Sequence, residues 1–150
     1  MKKIKWTQSM SLTLSSVIVK VLALILAAAC VYAPFGLKGY SFAHPEANPI
    51  AFISAFYVCA AFAFMALFVL NKLLKNIRRE DIFVHENVKI LRILSWCCYF
   101  VGIATAIYSY WEYHFMIIAA AAAFFGLILR VLKNVFVKAV EIREENDGTI

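Results

Sequence analysis

Ile77-Arg78-Arg79-Glu80-Asp81-Ile82-Phe83-Val84-His85-Glu86-Asn87-Val88-Lys89-Ile90-Leu91-Arg92 is the one long polar interruption in an otherwise apolar sequence. Before it, Ile50 to Leu70 runs for 21 residues without a charge. After it, a second apolar run extends from Ile90 to about Trp111. Each is long enough to cross a ~30 Å hydrocarbon core at 1.5 Å per helical residue. The stretch therefore reads as the central loop of a membrane protein, and the rest of the chain is read outward from it.

The composition agrees. Of 150 residues, 64% are hydrophobic, well above the ~45–50% of a soluble domain. The mean hydropathy is +0.80. Charged residues make up 16% and fall in short blocks between apolar runs, the pattern of spans joined by loops. The net charge of +6 could suggest nucleic acid. Here, however, the basic residues flank spans and do not cluster on one soluble face, so direct nucleic-acid binding is not expected.

Four spans are expected, at about 12–35, 50–71, 90–111 and 115–133, with a loop at 72–89 and a tail at 134–150. The fold class is an all-α membrane protein, a four-transmembrane-helix bundle. On the N-terminal side, Lys2, Lys3 and Lys5 precede Trp6. The start looks like a signal peptide, but no small-residue cleavage site follows, so an uncleaved end is expected. Lys20 is read as snorkelling at the inner boundary, with its stem on apolar surface and its ammonium in water. The alternative, a functional ionisable group within a span, has no acidic partner in any span. Pro34, Gly36 and Gly39 are expected to weaken the end of this helix. An irregular loop is then expected from Tyr40 to Pro49, where His44 and Glu46 would make only a weak two-ligand metal site.

On the C-terminal side, Val84, Val88 and Leu91, with Ile90 and Leu94, suit an amphipathic entry into the third span. Asp81 is a candidate cap for it, and Glu86 a candidate partner for the amides of its first turn. Gly102 and Ala106 form a small-xxx-small pair, and Ala119 to Ala123 give the fourth span a slim face, both suited to close helix packing. Tyr108, Tyr110, Trp111 and Tyr113 form an aromatic cluster at the expected outer interface. Within it, Glu112 and His114 are read as a wet hairpin, with proton sensing as the alternative. Past Arg130 and Lys133 the helix is expected to leave the membrane.

Basic residues set the orientation. Three lie at the N-terminus, six between Lys72 and Arg92, and four from Arg130 onward, whereas Lys38 alone is assigned outside. Because Lys and Arg are retained on the cytoplasmic side, both termini are expected there. The acidic Glu141, Glu144, Glu145 and Asp147 are expected to fold back on the basic Arg78, Arg79, Lys89 and Arg92, with Phe83 and Ile150 adding apolar contact.

Catalytic patterns are missing from the sequence. There is no HExxH, no phosphate-binding glycine loop and no nucleophile elbow, so the chain is not expected to be an enzyme or to carry a cofactor or metal. His85 and Glu86 lack a second histidine one turn away. Cys30, Cys59, Cys97 and Cys98 lie in apolar runs without zinc or CxxC spacing and read as core residues. The spans also lack the embedded glutamate that four-span multidrug exporters depend on.

The residues also resemble a family. Phe83-x-x-x-Asn87-x-x-x-Leu91-Arg92 in the central loop and Glu144-Glu145-Asn146-Asp147-x-Thr149-Ile150 at the end resemble the bacterial membrane proteins grouped as domain of unknown function 2975. The similarity covers nearly the whole chain. Gly148 stands where the pattern has a hydrophobic residue, a departure expected to loosen the tail. The resemblance brings no established activity. It implies a cell-membrane protein often encoded beside a small helix-turn-helix regulator, and hence a regulatory partner that docks such a protein on its cytoplasmic surface. The residues so implicated are Phe83, Asn87, Leu91, Arg92, Glu145, Asn146 and Asp147. A similar gene pairing in bacteriocin immunity implies the alternative, toxin immunity, with small-molecule transport beside it. Besides the regulator, the expected partners are the lipid bilayer and further copies of the chain.

Overall fold

The computed structural model describes residues 2–43 and 48–148, with the side chains of 10–36, 39 and 48–148. It consists of four helices: α1 (Lys2–Ala43), α2 (Pro49–Arg78), α3 (His85–Tyr108) and α4 (Phe115–Gly148). All four are long and apolar enough to cross a membrane. Large apolar side chains point outward along them: Leu24 is 72% exposed, Phe68 76% and Ile117 72%. Water would not tolerate such a surface on a monomer, whereas lipid is its natural solvent. The chain is an all-α, multi-pass membrane protein.

The helices pack in chain order, α1 on α2, α2 on α3 and α3 on α4, and among the described residues no other pair approaches closely. Cross-helix contacts show each pair to be antiparallel. Arg78 donates to Thr13 Oγ1 and Tyr57 to the Cys30 carbonyl. The Phe62 and Phe100 rings stack at 4.9 Å, and Ser95 donates to the Gly126 carbonyl. The start of α1 and the end of α4 therefore lie at one end of the bundle, together with the 79–84 connection. Flanked on two sides, α3 supplies most of the core, including Val88, Ile90, Leu91, Leu94, Cys97 and Tyr108.

The proline in α1 does not end the helix, which continues through Gly36 and Gly39 to Ala43. Residues 40–43 are thus helical where a loop is expected from Tyr40, and His44 and Glu46 lie outside the described residues. The reason is local. Proline lacks the N–H that would bond the carbonyl four residues back, which frees the oxygen of Cys30. The Tyr57 hydroxyl of α2 donates to that oxygen at 3.0 Å, so the Cys30 carbonyl is not left unpaired in hydrocarbon. Tyr57→Phe should lower the unfolding midpoint by the equivalent of about 1 kcal/mol, measured on the reconstituted protein. In a Pro34→Ala background, where the N–H returns, the same change should cost much less. Beyond residue 47, Asn48 caps α2 by accepting from the amides of Ile50 and Ala51, with Pro49 at the first helical position.

The close approach of α3 to α4 is where the small residues sit. A Cβ on Gly102 would meet the Ala119 carbonyl at 3.3 Å, and one on Gly126 would meet the Tyr99 ring at 3.0 Å. Gly102 and the alanine run were legible in advance. Gly126 was not.

Candidate functional site

The central connection is an organised structure. α2 ends in a Schellman turn: the Glu80 amide bonds the Ile77 carbonyl at 3.1 Å and the Asp81 amide bonds the Asn76 carbonyl at 3.2 Å. Glu80 occupies the left-handed position, with φ 66°, where glycine is usual. Such a conformation costs a non-glycine residue roughly 1–2 kcal/mol and persists only if its surroundings enforce it.

Asn87 supplies that enforcement. It is fully buried, at 0% exposure. Its amide nitrogen donates to the carbonyls of Asp81 and Ile82, both at 2.8 Å, and its oxygen accepts from Asn76 Nδ2 at 2.8 Å. The same Asn76 nitrogen reaches Glu86 Oε2 at 2.8 Å, and Glu86 Oε1 lies 2.6 Å from Lys72 Nζ. Two asparagines in the terminal turns of their helices thus tie α2, the loop and α3 together. Asp81 does not cap α3: Val84 holds the cap position without a side-chain bond, and Glu86 is the acidic residue of the first turn.

The end of α4 meets this loop without folding back. α4 continues unbroken to Gly148, and the loop packs on its flank. Phe83 lies against Phe136, with ring centroids 5.8 Å apart. Arg143 donates to the Phe83 carbonyl at 3.3 Å, and His85 Nε2 lies 2.8 Å from Glu144 Oε1. Loop and α4 therefore meet, but through Phe136, His85 and Arg143, and of the residues expected in this contact Phe83 and Glu144 take part. The ion pairs of Glu144 and Glu141 go to His85 and Lys138, not to Arg78, Arg79, Lys89 or Arg92. A continuous helix runs the acidic residues alongside the loop, since nothing after Lys133 breaks it, and Glu144 reaches His85. Glu141 ion-pairs within its own helix, 3.0 Å from Lys138. The anticipated contribution of Ile150 falls outside the described residues.

The sequence-nominated residues therefore divide. Phe83 is exposed on the loop, and Glu145, Asn146 and Asp147 are exposed on the last turns of α4. Asn87 and Leu91 are buried, offer no surface to a partner, and act by holding the loop and helix in place. Arg92 is exposed but lies apart, between α3 and α4, beside Arg130 and Lys133. Asn76 and His85 were not singled out for this network. Asn76 sits at the end of a span, where a polar residue reads as a simple stop, and its pairing with Asn87 depends on how the two helices meet.

The opposite end is aromatic. Tyr108 is 2% exposed, with the rings of Phe52, Trp111 and Phe115 around it, whereas Tyr110 and Tyr113 face outward. His114 lies 3.8 Å from Glu112. Below them is a cavity of about 200 Å³ lined by Phe52, Phe56, Cys59, Val101, Thr105 and Phe115 among others. The Thr105 hydroxyl donates to the carbonyls of Val101 and Gly102. The four cysteines are free. Among the described residues no three His, Cys, Asp or Glu side chains come together as a metal site.

Together these features define a multi-pass helical membrane protein whose polar groups are organised at the loop-bearing end. The chain belongs to the family described as protein of unknown function (DUF2975), whose family model matches residues 39–150. No curated protein and no solved structure matches it.

Proposed function

We propose that this is a regulatory protein of the bacterial cell membrane that binds, without catalysis, a soluble partner on its loop-bearing end. A helix-turn-helix regulator is the kind of partner that the family resemblance implies. The observation that carries the reading is the loop itself. Its backbone is fixed from within by Asn87, yet it leaves Ile82 and Phe83 36% and 43% exposed, Phe83 with one side of its ring against Phe136. A preorganised loop binds without an ordering cost, and exposed apolar side chains ringed by charge are the usual core of a docking patch. The excess of Lys and Arg at this end favours the cytoplasm as its side. The exposed Glu145, Asn146 and Asp147 extend the patch along α4.

Immunity or transport would place the working residues at the opposite end or in the bundle interior. The cavity there is lined by apolar side chains and carries no acidic group, which favours the docking reading. The test is capture of partners by the tagged full-length chain from its native membrane, compared with Phe83→Ser and with a chain lacking residues 141–150. Both changes should remove the same soluble protein, and because each also loses contacts between the loop and α4, a modest fall in the unfolding midpoint with the chain still folded is expected. An identical set of captured proteins in all three samples would overturn the proposal.

A further inference from the structure

Arg92, Arg130 and Lys133 lie on one cavity of about 240 Å³ between α3 and α4, with Ser95 and Trp96 completing its wall. Arg92 is the last charge before the apolar run of α3, and Arg130 the first charge after that of α4. The cavity therefore sits at the level where both helices cross from hydrocarbon to headgroups. Among the described residues, no carboxylate lies within ion-pairing distance of any of the three cations. Three like charges around one cavity repel one another unless an anion joins them.

A second cavity, about 490 Å³ and almost wholly apolar, continues from the first and shares Trp96 and Arg130 with it. It runs between the helices over Gly102, Ala106, Ala119 and Ala123, whose small side chains open the groove. From Trp96 to Ala106 is ten residues, or about 15 Å of helix. That matches half of a ~30 Å hydrocarbon core, the depth of one leaflet. A soluble phosphate or nucleotide would use the cationic cavity and leave the apolar one empty. An anionic phospholipid fills both.

We propose that the α3–α4 face binds an anionic phospholipid, with its phosphate between Arg92, Arg130 and Lys133 and one acyl chain in the groove beside Gly102 and Ala106. Arginine forks suit phosphate oxygens, and basic pockets between helices at the membrane surface hold acidic headgroups. Trp96 stands where the two cavities meet, so it reports on the occupant. The site is independent of the docking proposal and of which side the loop faces.

The test uses the full chain in bilayers, with Trp6→Phe and Trp111→Phe leaving Trp96 as the one indole. Quenching of Trp96 is measured with brominated-chain phosphatidylglycerol against brominated-chain phosphatidylcholine at equal mole fractions. The anionic lipid should be preferred by roughly fivefold for each cation engaged. Arg130→Gln with Lys133→Gln should cut the preference to roughly the fivefold left to Arg92, and adding Arg92→Gln should bring it near unity, with unfolding midpoints checking that each variant folds. The exposed pair Arg79→Gln with Lys89→Gln removes equal charge elsewhere and should leave the preference intact. Ala106→Leu, which fills the groove from an exposed position, should weaken quenching by the anionic lipid. Equal quenching by both lipids in the parent chain would overturn the site. So would an equal loss in the Arg79 and Lys89 control, which would mean general surface charge. Abolition of the preference by millimolar inorganic phosphate would reassign the cations to a soluble anion and overturn the lipid.

Discussion

Asn87→Leu is expected to destabilise the protein by about 3 kcal/mol and to release the loop from Arg79 to Val84, although it adds apolar volume to a membrane protein. The side chain of Asn87 is fully buried and bonds two backbone carbonyls and one side-chain amide. Leucine leaves the carbonyls of Asp81 and Ile82 without that donor, and an unsatisfied buried group costs about 1–3 kcal/mol. The left-handed Glu80 then loses the contacts that hold it. Amide exchange over residues 79–85 should rise sharply while α3 below Leu94 stays protected. Asn87→Asp is the sharper control. It keeps the acceptor for Asn76 but replaces the donating nitrogen with an anionic oxygen facing two carbonyls. The Asp variant should therefore be at least as damaging as Leu. Wild-type exchange in Asn87→Asp would refute the donor role. Because the loop carries Phe83, both variants should also lose any partner that Phe83→Ser loses.

The second large effect is expected at the α3–α4 contact. Gly126→Leu should cost about 2–3 kcal/mol by overpacking, since even a Cβ there would stand 3.0 Å from Tyr99. The same displacement would strain the 2.9 Å bond from Ser95 to the Gly126 carbonyl. Tyr99→Ala should recover part of the loss, giving a coupling of about 1 kcal/mol or more in a double-mutant cycle. At Gly102 the obstacle is the Ala119 backbone carbonyl, which no side-chain truncation can remove. Gly102→Leu should thus resist rescue. Thermal unfolding of the reconstituted chain measures both. Additive losses for Gly126→Leu and Tyr99→Ala would show that the two residues do not press on each other.

Much of this architecture was legible in the residues, for reasons specific to membranes. Lipid asks only that a span be apolar and long enough, so Ile50 to Leu70 declares itself by composition without any help from its neighbours. The alanines from Ala119 to Ala123 announce a close helix approach because few other residues permit one. Pro34 misled, because its effect depends on whether a donor from another helix reaches the freed carbonyl. Tyr57 does, at a separation no local pattern contains. The acidic end misled in a similar way: charge predicts attraction to the basic loop, but the unbroken helix decides which atoms can meet.

The seven nominated residues show the same division. Their motif spacing located the organised end of the bundle, yet it could not separate Phe83, which faces out, from Asn87 and Leu91, which face in. Exposure is a property of the assembled helices. By itself, the sequence determined the number of spans, the charge asymmetry and the polar break at Ile77 to Arg92, because the cost of burying charge in hydrocarbon is set residue by residue. Only the tertiary structure decided that Asn76 and Asn87 lock that break into a fixed loop, and that Arg92 leaves it to join Arg130 and Lys133. Hydrogen bonds act over about 3 Å, and only the packing of α2, α3 and α4 brings such distant residues within that range.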